Sequence, residues 1–308
     1  MLQIILGAVS QGLLWAVMTI GVYITYRILD IADLSVEGTI TMGAAIAAYS
    51  IYSGVDPYQA TVLAMIGGML AGLVTGILHT KLQIPALLSG ILTMIALYSV
   101  NLRIMGKANL SLLRMDTVFT FFQNFGLSRN NAVIVMGLLC VAVLVCLLYW
   151  FFGTEIGCAI RATGNNPQMV RAQGINTNTM IILGLVISNG LVAASGALIA
   201  QSQSFADIQM GIGSIVIGLA SVIIGEVLFG KRNFFNCLVS LVLGAITYRV
   251  IIAVVLKMGM PANDLKLFTA ITVAVALALP VFKTYLRPLK KSLKMKEDLQ
   301  DVNSEGNI

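Results

Sequence analysis

Three ionisable side chains, Glu37, Glu226 and Arg249, stand within or at the ends of long apolar runs. A charge in such a run costs on the order of 2.5–3.5 kcal/mol at the membrane centre and normally faces a bundle interior or a wet cavity. Each group can contact a polar solute in passing or tie helices together. Glu226 stands five residues before Lys231, so a local ion pair is its expected role. Arg249 can meet a solute carboxylate, pair with a protein carboxylate, or snorkel outward along its stem. Glu37 follows Asp33 by one helical turn, and lining a path or pairing with a cation on another helix are equal readings. Neutral groups extend the set: Ser35, Thr39 and Thr41, Thr93, Ser188 and Asn189, and Ser214 and Ser221. These can form a polar lining or hydrogen-bond between helices, as membrane helices do at about 0.6–2 kcal/mol each. Asn189, whose amide both donates and accepts, is the costliest to leave unpaired. The candidate path residues are therefore Ser35, Glu37, Thr39, Thr93, Asn189, Ser214 and Arg249.

Other chemistries find little to work with. No Gly-x-x-x-x-Gly-Lys-Ser/Thr occurs, so the chain lacks a phosphate-cradling loop of its own. Cys140, Cys146, Cys158 and Cys237 form no close ligand pair, so neither a zinc site nor a disulfide framework is expected, and they read as small hydrophobes. His79 is the single histidine and sits at the end of an apolar run, where an interfacial role is the default. No serine has a plausible histidine partner, and the expectation is that the chain is not an enzyme and holds neither metal nor cofactor.

The elements that must position these groups lie in lipid. Hydrophobic residues make up 58% and charged residues 10% of the chain, with mean hydropathy +0.93, where a soluble domain carries about a quarter charged residues. A crossing helix needs about 20 apolar residues. Nine runs meet or approach that length: Ile4–Tyr26, Val36–Ile51, Tyr58–Leu78, Ile84–Met105, Ala132–Phe152, Met180–Ala200, Ile212–Phe229, Phe234–Leu256 and Leu265–Phe282. The second and seventh are short and interrupted by glycine, as helices are where transporters bind and gate. The fold expected is an all-α integral membrane protein with a permease domain over 1–282 and a basic, then acidic, tail over 283–308. Gly68, Gly72 and Gly76, at four-residue spacing, predict a close-packing face.

Between the fifth and sixth runs lies a polar island, residues 153–178. It reads as two short helices. The first starts near Glu155 and stops at Gly164; the second has Asn166 as N-cap, Pro167 at its first position and Gly174 as its stop. A plain connector needs only a few turn residues. With the island in the cytoplasm, twelve Lys and Arg fall inside against six outside, which places the N-terminus outside and the C-terminus in the cytoplasm. The net charge of +6 thus reflects topology and not nucleic-acid binding.

Gly157, Ala159, Arg161, Ala162, Gly164, Asn166, Pro167, Gly174 and Ile175 fill, without a gap, a pattern that resembles the coupling loop of ABC-importer permeases of the branched-chain amino acid/ribose family. The entry to the second run, Ile31-Ala-Asp-Leu-Ser-Val-Glu-Gly38, resembles that family's first signature; Glu37 and Glu226 depart from its usual residues. The resemblance covers about Gly7 to Pro280. It implies pseudo-repeated halves, for which Gly38–Gly43 against Gly213–Gly218 is a faint internal echo. It also implies a coupling surface made of Glu155, Arg161, Gly164, Asn166, Pro167, Arg171 and Gly174. The partners implied are a cytoplasmic ATP-binding subunit that uses the ATP, an external or periplasmic substrate-binding protein, and a second permease chain, most simply in a homodimer, in the bacterial inner membrane. Overall similarity points to the amino-acid branch, including tryptophan/tyrosine systems. The alternative is an ion-coupled secondary transporter of a small polar solute working through Glu37 and Arg249.

Overall fold

The computed structural model describes residues 2–258, 267–275 and 278. The long helices are α1 (Leu2–Tyr23, running on as a π-helical turn over Ile24–Ile28), α2 (Val36–Tyr52), α3 (Pro57–Thr80) and α4 (Ala86–Met105). A short strand β1 (Asn109–Ser111) and helix α5 (Thr120–Asn124) precede α6 (Arg129–Phe152). Two short helices, α7 (Glu155–Asn165) and α8 (Pro167–Ala172), lead to α9 (Thr177–Gln203). Strand β2 (Phe205–Asp207), α10 (Ser214–Phe229) and α11 (Phe234–Lys257) follow. Among the described residues six helices are long and apolar enough to cross a membrane, and α10 is a shorter apolar one. The ninth run is helical over 267–275, and the 283–308 tail lies outside the described residues. The expectation of helices alone is amended by one antiparallel ribbon, in which Leu110 pairs with Ala206.

Most long helices are apolar on every face, as expected of elements buried or set in lipid. Local signals set their ends. Asp56 caps α3 by accepting from the Tyr58 and Gln59 N–H groups, with Pro57 at the first helical position. Gly106, at φ +67°, ends α4. Helix α9 is the hub, packing against α1, α2 and α3, while α10 and α11 pack together and against α1. The α3 glycines form the face their spacing predicts. A Cβ on Gly68 would strike Ala193 and Asn189, one on Gly72 would strike Leu185, and one on Gly76 would crowd Ile182, all on α9.

The second run departs from the sequence reading. Helix α2 is unbroken, and Gly43 serves close packing against the Ala193 backbone instead of an interruption. The interruption precedes the helix. After Ile28 the chain climbs back along α9 without helical structure: Leu29 packs at Gly184, and Ser35 meets Asn189. Asn189 lies twelve residues into α9, about 18 Å from its start at 1.5 Å per residue. Non-helical backbone at that depth is tolerated only where protein groups satisfy it. Ile31 N–H donates to the Thr25 carbonyl at 2.9 Å, and Ser35 N–H to Asp33 Oδ1 at 2.9 Å.

Candidate functional site

Two features could serve transport: the α7–α8 element and the polar groups beside α2. Thr154 caps α7, its hydroxyl accepting from the Gly157 N–H at 3.3 Å. Asn166 caps α8, its Oδ1 accepting from the Met169 N–H at 3.0 Å, with Pro167 next. Gly174 takes φ +82° after α8, a left-handed conformation that glycine adopts without steric cost. Asn176 then caps α9 by accepting from the Asn178 and Thr179 N–H groups. Every turn of the element thus has its own side-chain or glycine device.

Gly164 is not the stop its position suggested. Helix α7 runs through it to Asn165, and it has no positive φ. Its hydrogen side chain is required by contact instead. A Cβ there would strike the Ile28 carbonyl oxygen and the Leu29 Cα, so α7 lies directly on the turn that ends α1. Ile160 and Val170 are fully buried on the inner side, whereas Glu155, Ile156, Arg161, Asn166, Pro167, Met169 and Arg171 are exposed. The Arg161 guanidinium stands 4.9 Å from the Phe234 ring centre. Arg171 Nε donates to Thr177 Oγ1 at 2.7 Å, tying α8 to the start of α9.

Four of the polar groups beside α2 close on one another. Asn189 Nδ2 donates to Asp33 Oδ2 at 2.9 Å, and its Oδ1 accepts from Ser35 Oγ at 3.1 Å and from Thr39 Oγ1 at 2.7 Å. All four residues are buried. The amide uses both ends, so this knot fastens the climbing segment to the hub. Thr93 Oγ1 accepts from Thr75 Oγ1 at 3.0 Å, joining α3 to α4. Ser214 is buried, its hydroxyl without a partner among the described residues. Arg249 stacks on the Trp15 ring at 4.0 Å, and its Nε lacks a partner among the described residues. Glu226 pairs with Lys231 at 3.4 Å, as its spacing predicts, and also with Arg27 at 3.2 Å.

Glu37 stands apart from the knot. It lines a cavity of about 470 Å³ between α2, α4 and the 208–212 segment, with Gly38, Thr41, Met94, Ile95, Tyr98, Ser99 and Asn101 among its walls. Glu37 Oε1 accepts from the Gly213 N–H at 2.9 Å.

Residues 4–280 match the family described as the branched-chain amino acid transport system permease component. The chain belongs to this family. It is 44% identical over 274 residues to the tyrosine transport system permease protein of Clostridioides difficile, covering 89% of this chain and 90% of that one. It is 34% identical over 281 residues to an uncharacterized protein of Rickettsia prowazekii, covering 90% and 98%. A solved structure described as an inward-facing metal-chelate type ABC transporter aligns with a TM-score of 0.50 at 15% identity, covering 92% of this chain and 85% of that one; this likeness is one of fold. The chain is an ABC-transporter permease, a multi-pass membrane protein of a family that works with a separate ATPase.

Within that permease, Asn101 is the group that sequence reading passed over. It is 1% exposed; its Nδ2 donates to the Gly38 carbonyl at 3.1 Å, and its Oδ1 has no partner among the described residues. The signal was available, because an amide near the end of an otherwise apolar run carries the same penalty as Asn189.

Proposed function

We propose that the protein is the membrane subunit of a bacterial ABC importer that moves an aromatic amino acid by alternating access, with ATP hydrolysed by a partner. The observation that carries this reading is the α7–α8 element. It is capped at each turn, polar outside, and seated on the Ile28 carbonyl. A stiff element of this kind can transmit the motion of a docked ATPase to the bundle. The segment after Ile28 runs to the Asp33–Asn189 knot and on to Glu37, so a push on α7 reaches the α2 entry through a few residues. Glu155, Arg161, Asn166, Pro167 and Met169 offer the docking face, Gly164 and Gly174 shape it, and Arg171 braces it against α9.

The remaining assignments rest on the same reading. The α7–α8 end faces the cytoplasm, with the N-terminus outside. Phe268 and Val273, packed against α10 and α11, belong to a ninth span completing two pseudo-repeated halves. Two copies assemble with two ATPase subunits, and an external binding protein delivers the solute. The chain itself catalyses no reaction and binds no cofactor. The substrate class follows from the tyrosine permease to which the chain is 44% identical. The test is Arg161→Glu combined with Met169→Glu, two exposed side chains on the docking face. The expected result is normal insertion and thermal stability with loss of ATPase co-purification. Intact co-purification and uptake would show that this face is not the coupling surface.

A further inference from the structure

The cavity beside α2 carries a charge that nothing nearby answers. Among the described residues Glu37 is its only charged lining residue, no cation lies within ion-pair distance of it, and the two ion pairs present both belong to Glu226. The Gly213 N–H holds one carboxylate oxygen in place, so the group is positioned rather than loose. Asn101 supplies a second, independent sign. Its Nδ2 is committed to the Gly38 carbonyl, which fixes the orientation of the amide and leaves Oδ1 as a buried acceptor without a donor among the described residues. Leaving a buried acceptor unmade is costly, and native proteins keep few such groups. The carboxylate on the cavity and the buried amide oxygen of one of its lining residues are both acceptors. What they lack is a donor with a positive charge and several hydrogens.

We propose that this cavity is a recognition site for the α-ammonium group of an amino acid, with Glu37 as its counter-charge. The rest of the wall suits an aromatic side chain. Met94, Ile95 and Ile212 are apolar, and Tyr98 offers a ring edge or face for stacking. At about 470 Å³ the cavity falls in the range of about 300–1,000 Å³ usual for small-molecule sites. Among the described residues no guanidinium or ammonium lines it, so the ligand carboxylate is read weakly here and the amine strongly. The site therefore accepts an aromatic amine that lacks the carboxylate and rejects an aromatic acid that lacks the amine. This inference rests on the amino-acid reading above and adds the group that is recognised.

The experiment uses the permease–ATPase complex with the four native cysteines replaced and Ser99→Cys as a reporter on the cavity wall. Labelling by a small water-soluble thiol reagent is timed with L-tyrosine, tyramine or 3-(4-hydroxyphenyl)propionate present. L-tyrosine and tyramine should each slow labelling at least threefold, and the propionate should leave it unchanged. Glu37→Gln should remove the protection by both amines. Equal protection by the propionate, protection that survives Glu37→Gln, or no protection by any ligand would each overturn the inference. ATPase co-purification is read on the same samples. An unprotected cavity in a chain that still holds its ATPase refutes the site and leaves the importer reading standing; a protected cavity in a chain that holds none does the reverse.

Discussion

Replacing Gly164 with valine should uncouple the permease without removing it from the membrane. The residue is helical, so its φ places no demand on the side chain; the demand comes from the Ile28 carbonyl directly beneath it. An added Cβ would overlap that oxygen and crowd the Leu29 Cα, both backbone atoms that cannot rotate aside. The contact therefore opens only if α7 lifts away from the turn at the end of α1. Overpacking of this kind costs about 1–3 kcal/mol, and β-branched valine belongs at the upper end. If that energy is taken from the interaction between α7 and the bundle, coupling between the ATPase and the path falls about 5- to 150-fold. The assay is L-tyrosine uptake per ATP hydrolysed by the reconstituted complex, with the thermal midpoint of the detergent-solubilised permease as a control. Gly174→Ala provides the contrast. It strains a positive φ by roughly 1–2 kcal/mol but meets nothing within 4 Å, so it should soften the loop with a smaller loss of coupling. A Gly164→Val complex with wild-type uptake per ATP and an unchanged midpoint would refute the reasoning.

Other perturbations follow from the same contacts. Asn189→Ala leaves Asp33 Oδ2, Ser35 Oγ and Thr39 Oγ1 without that amide, and at about 1–3 kcal/mol per unsatisfied buried group it should clearly lower the thermal midpoint. Asn189→Asp places a second carboxylate beside Asp33 and should be the worse of the two by the same measurement. Arg129→Ala removes the guanidinium that donates to the Ser202 carbonyl and Ser204 Oγ, each at 2.7 Å, and should speed amide exchange in the β1–β2 ribbon while sparing α9 near Asn189. Lys231→Ala breaks the more exposed of the two Glu226 pairs and should cost no more than about 1 kcal/mol, less at high salt. Mass measurement of the intact complex should give two permease chains; a functional complex with a single copy would count against the dimer.

Much of the fold was open to sequence reading because hydrophobic length and helix punctuation are local properties. Asn166-Pro167 announces a helix start by cap chemistry and starts a helix where expected, and Asp56-Pro57 carries the same local signal at the start of α3. The α3 glycine spacing likewise identified a packing face, since a period of four residues keeps one side of a helix small. What escaped were properties of pairs distant in the chain. Gly164 looks like a stop because helix-ending glycines share its sequence context, and only the proximity of Ile28 shows that it is a contact. Ser35 and Thr39 read singly as interhelical hydrogen-bonding groups and together as a polar lining; their bonds to Asn189, 154 and 150 residues away, place them in a knot. Asn101 stood out only as an amide in an apolar run; its partner, a backbone carbonyl on another helix, leaves no mark in the side-chain pattern.

The most direct test of the central claim is uptake into proteoliposomes holding the permease with its ATP-binding and solute-binding subunits. The account predicts L-tyrosine accumulation that requires ATP inside the coupled compartment, stops when the ATP-binding subunit is omitted, and persists when proton and sodium gradients are dissipated. Uptake by the permease alone, driven by an ion gradient and abolished by Glu37→Gln, would contradict it and establish a secondary transporter instead.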